Sequence, residues 1–198
     1  MKILVSIVLV FLICSCSQNK SKELVVQNQS IPKIYSLKTN SNIKITNDTL
    51  FVNNLKYSGF LFELQSNGKD TLSIEGYYNG LQIGISKKWF GFKKLMEERS
   101  YFNGKKNGKQ IAYWENGHKK FEFFAKDDAY EGEMKEWNID GKLIHLANYK
   151  NGQEEGTQKL WYDNGKIRAN YVIKKGKRYG LLGTKNCRNV SDSIFIVK

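Results

Sequence analysis

The sequence has little proline, cysteine, histidine and arginine: its 198 residues include one proline, three cysteines, two histidines and four arginines. A single proline excludes collagen-like and proline-rich recognition chains, and three cysteines are too few for a disulfide-stapled miniprotein. The net charge is +13, but base-reading proteins rely on bidentate arginine contacts, so no nucleic-acid partner is expected. Because 40% of the residues are apolar and 13% are aromatic, we predict one folded, basic domain instead of a disordered polycation.

The N-terminus has the pattern of a secretion signal. Lys2 precedes an apolar run over residues 3–14, which is shorter than the roughly 20 residues that a membrane-spanning helix needs and is typical of a signal-peptide core. The run ends at Ser15-Cys16, which resembles the lipobox of bacterial lipoproteins. A secreted protein cleaved nearby and a buried N-terminal helix are the alternatives.

The lipobox resemblance implies a signal peptide over residues 1–15 and lipidation of Cys16 at the new N-terminus. It also implies a lipid-anchored protein of the cell envelope, and Ser17 after the cysteine favours the outer membrane. Residues 16–30 are polar and lack periodicity, so we expect them to form a flexible tether between the lipid and the folded domain.

Glycine marks an internal repeat, and a repeat defines a fold more strongly than local pattern does. Three interlocking series of glycines recur every 24 residues, with Asp128 standing in place of one of them. Aromatic residues share the same period at Trp89, Tyr113, Trp137 and Trp161. Several short units of this kind, stacked side by side, are therefore expected to form one elongated domain.

The glycines of two series lie in predicted β-turns. Most follow Asn or Asp, and such dipeptides accept the positive φ angles of a type I′ turn. Consecutive turns lie 13 and then 11 residues apart, which leaves strands of about 7 to 9 residues. The fold predicted is all-β, an elongated antiparallel β-meander of about six 24-residue hairpin repeats. The predicted turn glycines are Gly80, Gly104, Gly117, Gly141, Gly152, Gly165 and Gly176.

The third glycine series falls inside the strands, where glycine often marks a bend or a close approach of two backbones. Its members include Gly108, Gly132 and Gly156. The aromatic residues five positions further on are predicted to stack from repeat to repeat as a ladder along the sheet. Packing within the core is the preferred explanation for this ladder, and a ligand-binding platform is the alternative.

The two ends of the chain depart from the repeat, as the ends of repeat arrays do. Residues 31–53 are predicted to form a hairpin, Ile43–Thr46 with Thr49–Val52, that caps one edge of the sheet. Repeats are expected over 54–187, and residues 188–198 supply a last strand that caps the other edge.

The repeat units resemble MORN repeat variants, with YFNGKKNGKQIAYWENGHKKFEF (101–123) and YKNGQEEGTQKLWYDNGKIRANY (149–171) as the clearest examples. The resemblance covers roughly residues 54–187 and implies β-hairpin repeats. Such repeats occur in bacterial proteins often classed as YwqK-type antitoxins and serve chiefly as scaffolds for protein or phospholipid contact. The resemblance brings no catalytic residues with it, since a fold does not carry an activity.

Residues that support catalysis or metal binding are sparse. His118 and His145 have no metal-ligand spacing, His145 is expected to be a packed histidine, and Cys187 has no nearby histidine to activate it. Adjacent carboxylates such as those at 97–98, 127–128 and 154–155 point to opposite faces of a strand, so they are interpreted as solvated turn charges. We therefore expect a non-enzymatic protein with no cofactor, metal or small-molecule substrate; a hydrolase is the weakest alternative.

Lysine-rich turns and part of the aromatic column form the predicted binding surface. The expected partner is another protein, an acidic toxin or an envelope protein, with antitoxin or immunity activity as the specific form. The alternative is a scaffold that binds anionic phospholipid through its lysines, and lysines that are only solvated are the simplest explanation. The candidate residues are Lys105, Lys106, Lys119, Lys120, Trp137, Trp161, Lys174 and Lys175.

Overall fold

The computed structural model describes residues 30–183, which form 16 β-strands and a single 3-10 turn at Gly91–Lys93. The predicted all-β meander of hairpins is confirmed. The predicted signal peptide, Cys16, Cys187 and the strand within 188–198 lie outside the described residues. The strands are β1 Tyr35–Leu37, β2 Ile43–Thr46, β3 Thr49–Val52, β4 Leu55–Lys56, β5 Gly59–Leu64, β6 Thr71–Tyr78, β7 Leu81–Gln82, β8 Gly84–Trp89, β9 Leu95–Phe102, β10 Lys105–Tyr113, β11 Lys119–Lys126, β12 Ala129–Trp137, β13 Leu143–Lys150, β14 Gln153–Trp161, β15 Ile167–Lys174 and β16 Lys177–Leu181.

Thirteen strands form one large sheet in the order β1-β5-β6-β8-β9-β10-β11-β12-β13-β14-β15-β16, with β7 paired to β6 beside this path. From β5 onward each strand pairs antiparallel with the next, as hairpins joined edge to edge require. Successive connections therefore alternate between the two long margins of the sheet.

The N-terminal cap differs from the prediction. The hairpin of β2 and β3 is present, but it joins β4 in a separate three-stranded sheet, and β1 covers the edge of the large sheet by pairing parallel with β5. Leu50 of β3 attaches the small sheet to the turn at Gly80. Its side chain is 1% exposed and packs with Tyr57, Leu61 and Tyr77, and its N–H donates to the Gly80 carbonyl at 2.8 Å. Burial of Leu50 thus places this sheet on a turn of the large sheet instead of on its edge.

The predicted type I′ turns occur along one margin of the large sheet only. On that margin both central residues have positive φ, as at Asn103-Gly104 (50° and 80°). On the other margin Asn116 is outside the left-handed region, and only the glycine after it has positive φ. Gly117 N–H there donates to the Trp114 carbonyl at 2.8 Å, and the turn has three loop residues ending in a glycine bulge. The type I′ prediction for Gly117, Gly141 and Gly165 is therefore wrong, because one extra loop residue moves the left-handed position onto the glycine alone.

The glycines inside the strands form bulges. Around Gly108, Lys106 pairs with Tyr101 but Gln110 pairs with Arg99, so three residues of β10 face one residue of β9. The fully buried Gln110 side chain donates from Nε2 to the Ser100 carbonyl at 2.8 Å within this bulge. Gln158 makes the equivalent bond to the Asn148 carbonyl, also at 2.8 Å. The side-chain amide thus replaces a backbone bond of the ladder that the bulge interrupts.

One face of the large sheet carries most of the buried residues, and we call it the buried face. Over β10 to β15 it is mostly apolar and includes Phe123, Met134, Ala147, Ala169 and Ile173, each at most 9% exposed. The opposite face carries cross-strand charge pairs such as Lys87 with Glu98 at 3.1 Å. Alternation of side chains across the strands produces these two different faces.

Candidate binding surface

All four tryptophans of the sequence lie along one margin of the large sheet, which we call the tryptophan margin. Trp89, Trp137 and Trp161 are the last residues of β8, β12 and β14, and Trp114 directly follows β10. All four side chains are partly exposed. The 24-residue period is the cause, because it places the same end of every second strand at the same margin.

Lysines lie over two of these indole rings. Lys120 Nζ is 4.5 Å from the centroid of the Trp114 ring, and Lys119 Nζ is 5.6 Å from that of Trp137. The Trp114 indole also donates from Nε1 to the Trp137 carbonyl at 3.0 Å. Because cation–π contacts act within about 6 Å of a ring, each pair fixes a charge against a large apolar surface.

The predicted aromatic ladder is built from other residues. In the part of the chain that the structure describes, the ring contacts of the repeats join Phe121, Phe123, Tyr130 and Tyr149, with centroids 4.4 to 5.8 Å apart. The column of Tyr113, Trp137 and Trp161 makes no such contacts among residues 30–183, so the prediction of a stacked column was wrong. These side chains lie where the strand register shifts before each turn, as it does between Glu136 and Trp137, and the shift takes them out of the regular row.

Side chains connect neighbouring turns of the tryptophan margin. Asn116 donates from Nδ2 to the Ile139 carbonyl at 2.7 Å, and His118 Nδ1 lies 3.0 Å from the same oxygen. One repeat further along, Asn138 Nδ2 donates to Asp163 Oδ1 at 3.0 Å. The turns are thereby held in a row, so that the exposed groups on them keep fixed spacings.

The turn between β8 and β9 on this margin is irregular and presents an exposed aromatic ring. Phe92 is 93% exposed and has a left-handed backbone (φ 57°), and Lys93 beside it is also left-handed (φ 59°). Two consecutive non-glycine residues in this region store backbone strain, which is typical of functional positions. In the sequence this turn differs from the others of the margin in lacking an Asn-Gly or Asp-Gly dipeptide.

The structure divides the predicted binding residues between the two margins. Lys119, Lys120, Trp137 and Trp161 lie on the tryptophan margin. The other four predicted lysines, at 105–106 and 174–175, lie beside two-residue turns on the opposite margin, which we call the tight margin. The residues of the predicted binding surface therefore form two groups separated by the length of a strand.

Backbone bonds connect the turns of the tight margin to their neighbours. Gly104 N–H donates to the Gln82 carbonyl at 2.8 Å, Asp128 N–H to that of Lys106 at 3.0 Å, and Gly152 N–H to that of Tyr130 at 2.9 Å. These bonds need only the left-handed turn conformation and no particular side chain. Side chains add to these bonds, since Ser58 Oγ accepts the Asn79 N–H, Asp128 Oδ1 the Lys106 N–H and Glu131 Oε2 the Asn151 N–H. The tight margin is thus fixed mainly by its backbone, with lysines 105, 174 and 175 exposed around it.

The histidines and paired carboxylates have structural partners. His145 lies on the buried face, where its Nδ1 is 3.2 Å from Glu136 Oε2, and this hydrogen bond lowers the pKa of the Glu136 carboxyl. Glu97 and Glu98 point to opposite faces, but they lie in the middle of β9 and pair with Arg99 and Lys87, so their interpretation as solvated turn charges was wrong.

Residues 30–183 lack both a metal-binding cluster and a membrane-spanning helix. They contain no group of three or more histidine, cysteine or acidic side chains placed to hold a metal ion. Within the same range no helix has the length and apolar character needed to cross a membrane.

Sequence reasoning missed Trp114 and Phe92 as members of the candidate surface. Trp114 falls one position after the column of aromatics, and its 24-residue equivalents are Asn138 and Tyr162. These three residues directly precede the three-residue loops, and the glycine N–H that ends each loop donates to the carbonyl of that preceding residue. The sequence signal for these longer loops was the alternation of 13 and 11 residues between consecutive turns.

Comparison with known families finds one match. The family model described as MORN repeat variant matches residues 130–151 and 154–172, which correspond to β12 with β13 and β14 with β15. No curated protein matches the chain significantly. MORN repeats are generally non-enzymatic modules that bind proteins or membranes. The hairpins of residues 130–172, in which β12 and β14 each carry a glycine bulge and end in tryptophan, are thus similar to MORN repeat variants.

Proposed function

We propose that this protein is a non-enzymatic binding module that docks another protein along its tryptophan margin. The observation that carries the proposal is that all four tryptophans lie on this one margin, partly exposed and accompanied by lysines. Tryptophan is strongly enriched among the residues that dominate protein–protein affinity, because its large ring loses little conformational entropy on binding.

The proposed partner presents an acidic surface. Lys119 and Lys120 are exposed, and their contacts with Trp137 and Trp114 hold the ammonium groups beside apolar rings. Lys119 Nζ also bonds to Glu122 Oε2 at 2.7 Å, so a partner carboxylate would gain its charge-assisted hydrogen bond chiefly from Lys120 while its apolar neighbours cover the indole. The net charge of +13 favours the approach of an acidic partner over longer distances.

Antitoxin or immunity activity is the specific form of this proposal. A toxin neutralised by a lipid-anchored protein has to be met in the cell envelope. The test is to express the product of an adjacent, co-transcribed gene with and without this protein. Growth arrest that this protein relieves supports the proposal, and an adjacent product that is harmless in the envelope contradicts the antitoxin form.

Site-specific photo-crosslinking tests the binding surface directly. A photoreactive residue replaces Trp161 on the tryptophan margin or, as a matched control, Phe124, which is 52% exposed on the opposite face. We expect a discrete protein adduct from position 161 and none from position 124. Adducts of equal yield from both positions, or lipid adducts alone from position 161, would contradict docking of a protein on this margin.

A membrane-surface scaffold is the second candidate, and Phe92 is the observation that favours it. This exposed ring is followed by Lys93 and Lys94, and such a combination suits the boundary between lipid headgroups and acyl chains. Binding of the unlipidated fragment 17–198 to anionic vesicles, abolished by moderate salt and by Phe92→Ser, would support it. The same vesicles without anionic lipid are the control.

We also propose that the chain reaches the cell envelope as a lipoprotein anchored through Cys16. The support is the short apolar run before Ser15-Cys16. Cys16→Ala is expected to leave the protein in the soluble periplasmic fraction, because stable membrane attachment requires the acyl chains. A variant that sediments with membranes as the wild type does would show that lipid anchoring is wrong.

A further inference from the structure

A small polar cleft lies on the buried face over β6, β8 and β9, where the repeats begin. It has a volume of about 140 Å³, and Ser73 and Ser86 lie in its lining at 4% and 7% exposure. At the positions 24, 48 and 72 residues after Ser86 the chain has Gln110, Met134 and Gln158, all buried. The small serine thus leaves a space in this repeat that larger side chains occupy in the later ones.

The carboxylates around the cleft are already paired. Lys38 Nζ lies 2.5 Å from Glu75 Oε1 and 3.8 Å from Glu63 Oε2. Arg99 bonds to Glu97 Oε2 through both Nη2, at 3.0 Å, and Nε, at 3.3 Å. Lys38 is shared by two of these carboxylates, so Glu63, Glu75 and Glu97 are balanced only when Lys88 is counted with Lys38 and Arg99. With its charges balanced, the cleft does not exclude an anion.

Two donors of the cleft have no partner. Ser73 Oγ is buried and makes no hydrogen bond, although buried hydroxyls normally have one. Lys88 lines the same cleft, and among residues 30–183 no carboxylate lies within 4 Å of its Nζ. The two residues face each other across β6 and β8, since Ser73 and Lys88 are partners in the strand register. The Ser73 hydroxyl and the Lys88 ammonium group are thus two unpaired donors in one cleft, and both can donate to an anion.

Further donors surround this pair. Arg99 is next to Ser86 in the register, and its guanidinium keeps N–H groups beyond those used by Glu97. Ser86 Oγ accepts a bond from Gln82 Nε2 at 2.8 Å, so its own proton is free to donate. Tyr101 also lines the cleft, and its phenol is a further donor.

We propose that this cleft binds a small oxyanion, the carboxylate or phosphate group of a ligand, between Lys88 Nζ, Ser73 Oγ and the Arg99 guanidinium. The anionic group supplies the acceptor that Ser73 and Lys88 lack. The rim carboxylates of Glu63 and Glu97 require the anionic group to be compact and favour a ligand whose remainder is neutral or cationic. This site is independent of the protein-binding margin.

Titration of the purified full chain, followed by backbone amide shifts, tests the proposal. Sodium acetate and inorganic phosphate are the two probes, each compared with sodium chloride at equal ionic strength. We expect saturable shifts confined to residues of β6, β8 and β9 with at least one probe. The tighter of the two identifies the ligand group as a carboxylate or a phosphate.

Substitutions locate the binding. Lys88→Met is expected to weaken binding about tenfold or more, since it removes a charge-assisted bond, and Ser73→Ala by roughly threefold. Lys88→Arg should retain most of the affinity. Lys126→Met removes the same charge from an exposed position on the opposite face and should change nothing. Shifts that do not saturate, that follow chloride equally, or that survive in Lys88→Met would overturn the proposal.

Discussion

The turns on the two margins of the large sheet are connected to their neighbouring repeats in different ways. On the tight margin, turns such as Asn103-Gly104 have two left-handed residues and are attached to the neighbouring strand by backbone bonds. On the tryptophan margin the loops have three residues, and side chains such as Asn116 and Trp114 connect one repeat to the next. Backbone bonds depend little on sequence, whereas side-chain bonds need particular residues. The tight margin is thus suited to holding the repeats together and the tryptophan margin to presenting a specific surface.

The largest difference is expected from matched glycine substitutions on the two margins. Gly80 and Gly165 have nearly the same φ, 82° and 81°. A Cβ at Gly80 would meet the Leu50 carbonyl at 2.9 Å, and one at Gly165 would meet nothing within 4 Å. Gly165→Ala should lower the free energy of unfolding by about 1 to 2 kcal/mol for the left-handed backbone alone. Gly80→Ala should lower the free energy of unfolding by the same amount and by about 1 to 3 kcal/mol more, because of the clash. Urea unfolding followed by circular dichroism measures both, and equal losses would contradict the difference in packing.

An intermediate effect is expected at two asparagines that precede glycine in the sequence. Asn103 is left-handed and has no side-chain hydrogen bond within residues 30–183, so Asn103→Gly should change the free energy of unfolding by less than about 0.5 kcal/mol. Asn116 bonds to the Ile139 carbonyl and accepts the His118 N–H at 3.1 Å, so Asn116→Gly should lose about 1 to 2 kcal/mol. Denaturant midpoints of the two variants measure the difference between the two losses in the free energy of unfolding. A larger loss at Asn103 would reverse the assignment of backbone and side-chain margins.

The smallest effect concerns the ion pair that positions Lys119. Its Nζ bonds to Glu122 Oε2 at 2.7 Å, which lowers the pKa of the Glu122 carboxyl. Because the folded pKa is below the unfolded one, this pair contributes stability above the unfolded pKa, and the contribution is lost as the pH falls through the folded pKa. Glu122→Gln should therefore reduce the loss of stability between pH 7 and pH 3 by about 0.5 kcal/mol. Lys119→Met should give a similar reduction in urea unfolding at the two pH values, and an unchanged loss in both variants would refute the pair.

Much of the fold is readable from the sequence because the repeat imposes it. The 24-residue glycine period predicts the hairpins, and the Asn-Gly dipeptides predict most turns of the tight margin. The same dipeptide at 116–117 forms a different loop, since the loop type depends on which flanking residues pair. Only the alternating 13- and 11-residue spacing of the turns records this difference.

Contacts between distant residues are what the sequence pattern does not record. The small N-terminal sheet is placed by a bond between Leu50 and Gly80, and nothing in the local pattern of either residue indicates the other. The candidate surface is similar: the period aligned Trp137 and Trp161, but the lysine-to-ring contacts depend on the loop geometry. The polar cleft also depends on strand register, which brings Ser73 opposite Lys88.

In our proposal the tryptophan margin, and not the tight margin, docks the partner. Two matched charge reversals test it: Lys119→Glu with Lys120→Glu, and Lys105→Glu with Lys106→Glu, each in a protein carrying the photo-crosslinker at position 161. Unfolding midpoints confirm that both variants are folded. We expect the first pair to lower the yield of the protein adduct about tenfold and the second to change it by less than about twofold. Equal losses, or a loss only with the second pair, would contradict it.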